Sequence, residues 1–212
     1  METSNAPAQL RRYTDLPALL HILTTRRITL LDPTFWDDKN DSHFMSIYKE
    51  RKKLKSLLAL CFSEASETYH HWRVFSGSPA GVCIVFDKNR LLEDIAQVPQ
   101  VSVGSMSYLT MTEARRKSFQ VDELPFVKRY AYKPEREFRA LYASPTEETP
   151  SLDLPIRLSS ISRISLSPWM HASLSKSTAS AIRAINGCEK LRVSRSTLIS
   201  NEQWKKFANS AV

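Results

Sequence analysis

The segment KPEREFRALYA at residues 133–143 reads as a strand whose mouth carries Glu135, Arg136, Glu137 and Arg139. Alternation sets Phe138, Ala140 and Tyr142 on one face and Glu137, Arg139 and Leu141 on the other. Two chemistries suit the pattern. Glu137 and Arg139 can form a surface ion pair, worth about 0.2–1 kcal/mol. Alternatively, a carboxylate aimed into a cleft stabilises developing positive charge or accepts a sugar hydroxyl proton.

Two further constellations stand out. FWDDKNDS at 35–42 offers Asp37, Asp38 and Asp41, enough carboxylates to gather a divalent cation. The glycine and closing glutamate of an EF-hand are absent, and a turn followed by a helix cap uses the same residue types. In CFSE, Ser63 lies at the end of an apolar run, where ligand clefts open. Downstream, Tyr69, Trp72 and Phe75 share one helix face; such a stripe either packs as core or stacks on a planar ring. His70 and His71 have no matching Asp or Cys to form a triad, and read as surface or packing residues.

Positioning these residues falls to a simple set of elements. RRY at 11–13 suggests a short first strand, and Thr14 or Asp15 caps a helix bearing Leu16, Leu19, Leu20 and Leu23. RITLLDP (27–33) reads as a strand, and 34–44 as a polar loop leading to a helix opened by Asp41 and Ser42. SLLALCFSE (56–64) and GVCIVFD (81–87) are continuous apolar runs, typical of central strands, with a short helix capped by Ser66 between them. Asp87 caps the next helix, 101–109 forms an edge strand, and 112–119 is helical. Residues 144–155 read as a loop; IRLS and ISRISLS are strands, then a helix over about 170–185 is stopped by Gly187. LRVSRSTL is a last strand, and Ser200 with Gln203 boxes a final helix. The expected fold is α+β: a flexible 1–8, then one domain over 9–212, with a central mixed or antiparallel sheet flanked by helices. Residues 151–212 form its C-terminal strand–helix–strand–helix part.

The 212 residues carry a net charge of +8, a balance that draws polyanions or simply keeps a surface solvated. No apolar run approaches the roughly 20 residues of a membrane span, and the N-terminus lacks a signal peptide's core, so a cytoplasmic protein is expected. Cys61, Cys83 and Cys188 are odd in number, far apart and apolar in context, so they read as reduced core residues without zinc spacing.

In order, RRY, PTFWDDKNDS, CFSE with HHW, AGVCIVFD, VKRYAYKPEREFR and ISRISLSPWM with RVSRSTL resemble the bacterial domain of unknown function 2971, over about residues 11–200. This chain has Asp38-Lys39 where many relatives have Pro. More loosely, an early strand with Arg, a middle strand ending in Ser and a late strand with Glu-x-Glu are similar to ADP-ribosyltransferases of the Arg–Ser–Glu type. The middle strand has one Ser rather than Ser-Thr-Ser, and RRYTD lacks a glycine.

That second resemblance implies NAD as substrate and no metal. Arg12 (or Arg11), beside Tyr13, grips the phosphates. Ser63 orients Glu137, which binds the ribose 2′-hydroxyl, while Glu135 faces the acceptor. Trp72 and Phe75 wall the nicotinamide, and Arg139 keeps the glutamates ionised and guides the substrate. The implied activity is ADP-ribosyl transfer or NAD glycohydrolysis, as a toxin or phage-defence effector acting on nucleic acid or protein. Two other readings stay open: a nucleic-acid-binding protein or metal-dependent nuclease using Asp37, Asp38 and Asp41, and a non-catalytic partner-binding module.

Overall fold

The computed structural model describes residues 8–209, so the expected flexible 1–8 falls outside it but for Ala8. Strand β1 (Gln9–Asp15) runs straight into helix α1 (Leu16–Thr25), capped by Asp15, whose carboxylate accepts from the Ala18 N–H at 2.8 Å. Strand β2 (Arg27–Leu31) ends at a 3-10 turn, Pro33–Phe35. Helix α2 (Lys39–Arg51) starts earlier than the sequence suggests: Asp38, not Asp41 or Ser42, is its cap. Strand β3 (Ser56–Ser63), helix α3 (Tyr69–Ser76), strand β4 (Gly81–Asp87) and helix α4 (Lys88–Ile95) follow. Thr68 rather than Ser66 caps α3, because its hydroxyl is the one placed three residues before the His71 N–H.

The expected edge strand at 101–109 is two strands in two different sheets. β5 (Val101–Ser105) pairs with β8 (Glu137–Ser144), while β6 (Ser107–Leu109) pairs in parallel with β7 (Val127–Arg129). Helix α5 (Met111–Arg116) connects them. KPER is not strand: Tyr130–Glu135 forms 3-10 turns around Pro134, and β8 opens only after Arg136 turns left-handed at φ 43°. β9 (Ser151–Pro155) lies in the segment expected to be loop, whereas IRLS gives way to a 3-10 turn at Leu158–Ser160. β10 (Ile161–Leu166), α6 (Ala172–Arg183), β11 (Val193–Arg195) and α7 (Glu202–Asn209) complete the chain. Gly187, at φ 78°, turns the chain just past α6.

Among the described residues, nine strands form one mixed sheet, β11-β10-β4-β1-β3-β2-β9, with β8 and β5 added through β3. Only β10–β11 is parallel within it. The fold is α+β, as expected. β3 is the branch point. One edge pairs with β8 along its whole length; the other meets β1 only at Arg11↔Ser63 and β2 only at Leu31↔Ala59.

The continuous apolar strands are buried on both faces. One face packs Leu10, Leu60, Ile84, Phe86 and Ala140 against α1, α4 and α6. Each such leucine, isoleucine or phenylalanine side chain contributes about 1.5–3 kcal/mol. The other face is covered in two patches. Under α3 lie Tyr13, Trp72, Cys83 and Val85; under α2 lie Met45, Leu57, Ala59 and Leu141. Between those patches the sheet is left open. No helix among the described residues is long and apolar enough to cross a membrane.

Candidate active site

Arg11, Ser63 and Glu137 stand in one cross-strand rank, on β1, β3 and β8, with Arg11 opposite Ser63 and Ser63 opposite Glu137. Opposed residues share a face, and neighbouring strands lie about 4.8 Å apart, so the rank spans about 10 Å. It opens onto a cavity of about 350 Å³. β1 supplies Arg11, Arg12 and Tyr13; α3 supplies Val74 and Phe75; the chain entering α2 supplies Trp36, Asp37, Asp38 and Asp41; Lys128, Tyr132, Glu135 and Glu137 close it.

Its carboxylates are tied together. Lys128 Nζ donates to Glu135 Oε2 at 2.8 Å and to Glu137 Oε2 at 3.0 Å, and lies 3.7 Å from Asp41 Oδ2. Arg139, fully buried, donates Nε and Nη2 to Glu137 Oε1 at 2.9 and 2.7 Å, and Nη1 and Nη2 to the two oxygens of Asp41 at 3.1 and 2.7 Å. The Trp36 ring covers its guanidinium at 4.6 Å. Burial alone drives the Glu137 carboxyl upward, but Arg139 and Lys128 outweigh it and hold the pKa at about 2. Glu135 and Asp41 move the other way: burial raises both, despite Lys128 and Arg139. Burial opposes the charge on Lys128, yet Glu137 and Glu135 raise its pKa. One site thus holds a firmly ionised carboxylate and a neighbour poised to take a proton.

Ser63 acts on the backbone. Its Oγ donates to the Glu135 carbonyl at 2.6 Å, accepts from the Ala65 N–H at 3.1 Å and lies 3.1 Å from His71 Nε2. His71 Nδ1 meets the Thr68 hydroxyl. The network closes if Thr68 donates to Nδ1 and Nε2–H points at Ser63 and the Glu135 carbonyl. Burial lowers the His71 pKa, which keeps this neutral form. With its proton on a carbonyl, Ser63 is a clamp on the Glu135 turn rather than a nucleophile.

The cationic end is different. Arg12 Nη1 donates to the Cys61 carbonyl at 3.3 Å, where the β1–β3 ladder stops. Burial lowers the Arg12 pKa, and no carboxylate among the described residues forms an ion pair with Arg12 or Arg11. Arg11 gives its two terminal nitrogens to the Ala65 carbonyl and Gln9, leaving Nε without a partner. Two guanidinium groups on a cavity wall without counter-charges are a place for an anion.

The structure therefore gathers Arg11, Arg12, Tyr13, Ser63, Phe75, Glu135 and Glu137 around one cavity. Two expected site residues are not on it. Trp72 is fully buried beneath Tyr13, ring centroids 5.3 Å apart, and its indole N–H donates to Glu67 at 2.6 Å. Arg139 lies behind Glu137, its nitrogens taken by Glu137, Asp41 and the Pro125 carbonyl, so it has no donor left for a substrate. The Glu137–Arg139 pair is no surface ion pair either. Asp37, Asp38 and Asp41 line the cavity but have separate duties: Asp41 is bound to Arg139, and Asp38 Oδ1 caps α2. Among the described residues no group of three His, Cys, Asp or Glu is placed to hold a metal ion. Lys128, Trp36 and Tyr132 join the site without having been singled out, and His71 joins its supporting shell. Lys128 gave no signal because the parallel β6–β7 pairing that delivers it has no local pattern.

No family model matches the chain, so the resemblance to the domain of unknown function 2971 gains no support there; no curated protein matches in sequence either. Three solved structures of DarT from Thermus sp. 2.9 align over most of the chain. Its complex with ADP-ribosylated ssDNA gives a TM-score of 0.47 at 11% identity, covering 92% of this chain and 97% of that one. The complex with carba-NAD+ gives 0.46 at 13%, covering 91% and 97%. The complex with NAD+ gives 0.46 at 13%, covering 92% and 98%. Likeness at this level by itself assigns neither family nor activity.

Proposed function

We propose that this chain cleaves the nicotinamide–ribose bond of NAD and passes ADP-ribose to an acceptor or to water. The observation that carries the reading is the rank Arg11–Ser63–Glu137 opening on one cavity, with unpaired guanidinium groups at one end and an ionised glutamate at the other. At about 350 Å³ the cavity is at the small end of ligand sites; it suits the nicotinamide ribose and its phosphates, with the adenosine outside.

Arg12 and Arg11 hold the diphosphate. Glu137 Oε1 is taken by Arg139, but Oε2 accepts from Lys128 and has room for a further donor, the ribose 2′-hydroxyl. When the glycosidic bond breaks, its electron pair leaves with nicotinamide. The ribosyl cation left behind sits beside a carboxylate fixed by two cations, an arrangement that needs no reorganisation. The acceptor's oxygen or nitrogen, or water, attacks C1′. Its proton goes to Glu135, whose carboxyl burial pushes above the ordinary carboxylate range. Trp36, Tyr132 and Phe75 offer rings for the planar nicotinamide. The net charge of +8 favours a polyanionic acceptor, and single-stranded DNA, bound in ADP-ribosylated form in one DarT complex, is a direct acceptor to test.

The test is nicotinamide release from NAD, followed chromatographically with and without single-stranded DNA. Glu137→Gln is expected to lower it by about 100-fold or more. Absence of release by the wild-type chain under both conditions, or full release by the folded variant, overturns the reading.

A further inference from the structure

Helix α7 buries none of its residues against the rest of the chain. Its two rings, Trp204 and Phe207, are 75% and 61% exposed and meet edge to face, 6.1 Å apart. A lone helix of eight residues is marginal in water, so a cover packed on α7 would stabilise it. With Leu198 and Ile199 the rings wall a hollow of about 550 Å³, which Glu67 also lines.

Glu67 ties that hollow to α3. Its carboxylate accepts from the Ser196 hydroxyl and, at 2.6 Å, from the Trp72 indole N–H. Two residues on, Tyr69 opens α3; it is 52% exposed and lies edge-on to Trp169 at 5.8 Å. The Arg73 guanidinium sits 4.2 Å over the Trp169 ring and 5.3 Å over that of Tyr69. No carboxylate among the described residues forms an ion pair with it. α3 is about 12 Å long, and its last turn delivers Val74 and Phe75 to the wall of the candidate active cavity. Exposed rings thus run from α7, past the start of α3, to the edge of that cavity.

The charge is gathered in the same part of the chain. Of the net +8, residues 156–212 supply +7, with nine Lys and Arg against two Asp and Glu. Lys205 follows Trp204 directly, and Arg195 donates to the carbonyl of Met170, next to Trp169. The core of a dry protein interface is depleted in lysine. Rings interleaved with cations are instead a surface on which successive bases stack while their phosphates meet positive charge. Resting on the NAD reading above for its purpose, we infer that α7 and α3 form a track for single-stranded nucleic acid, which leads the acceptor strand to the cavity.

Fluorescence polarisation of the full chain with labelled oligothymidylate and oligouridylate of about 12 nucleotides tests the track. Wild type is expected to bind at least one of them, more weakly as salt rises. The double variant Trp204→Ala, Phe207→Ala should lose at least about tenfold in affinity, and Tyr69→Ala, at the other end of the track, about fivefold or more. These side chains are exposed, so the fold is expected to survive; Leu31→Ala, an exposed apolar change on β2, should bind as wild type does. A wild type that binds neither strand overturns the inference, as does wild-type affinity in the folded double variant or in Tyr69→Ala. Binding to vesicles of anionic phospholipid in place of either oligonucleotide also overturns it, and would make α7 a membrane face. Nicotinamide release without nucleic acid should be the same in every variant. Release that persists with no strand bound removes the track and leaves the NAD reading standing; strand binding by a chain that releases no nicotinamide does the reverse.

Discussion

Ser63 Oγ lies 2.6 Å from the main-chain oxygen of Glu135, so the middle strand holds the turn that presents both glutamates. Ser63→Ala would leave the Ala65 N–H without a partner and the Glu135 carbonyl and His71 Nε2 with only their 3.3 Å contact to each other. The expected loss is about 1–3 kcal/mol in urea denaturation. Nicotinamide release should drop about tenfold or more through misplacement of the carboxylates. A variant as stable and active as wild type would remove Ser63 from this role.

Arg12 predicts the opposite pattern. It is a half-buried cation with no ion-paired carboxylate among the described residues, so it is retained at the expense of stability. Arg12→Met should melt at or above the wild-type temperature. It should also lose most of the thermal protection that inorganic pyrophosphate or ADP-ribose gives the wild-type chain.

Arg139 is structural by its contacts. Arg139→Met leaves Glu137 and Asp41 facing each other in the core with only Lys128 between them. A loss of roughly 3–5 kcal/mol is expected in chemical denaturation. A loss below about 1 kcal/mol would show that the pair is far better solvated than its burial implies.

The pH dependence follows from Glu137, whose carboxyl is held at about 2 against an ordinary 4.5. A depressed folded value means that the ionised form stabilises the fold. That stability is fully present above about 4.5 and drains away as pH falls toward about 2. Glu135 and Asp41, both raised, contribute with the reverse sign. The stability gap between wild type and Glu137→Gln should therefore narrow across this acid window, measured by urea melts at stepped pH. A gap that stays constant would mean Glu137 titrates normally.

Much of this was legible in the sequence, for local reasons. SLLALCFS and GVCIVFD are uniformly apolar because both faces of β3 and β4 are covered, and a continuous run says so. Alternation placed Glu137 and Arg139 on one face correctly. It could not show that Asp41, 98 residues earlier, arrives to hold the same guanidinium. β9 was missed because SLDLP carries Asp and Pro, which suit an edge strand and a loop equally. The stripe Tyr69–Trp72–Phe75 was divided by depth: Phe75 reaches the cavity, while Trp72 points into the sheet. Burial, unlike periodicity, is decided by what packs on top.

When Asp41, Glu135 and Glu137 are all ionised, the cluster holds three negative charges against two positive ones on Lys128 and Arg139. A pyridinium ring entering the hollow would restore parity. Leaving as an uncharged molecule, it would return the hollow to its lopsided state. A proton on Glu135 and a cation in the hollow are thus two alternative routes to the same balance of charge.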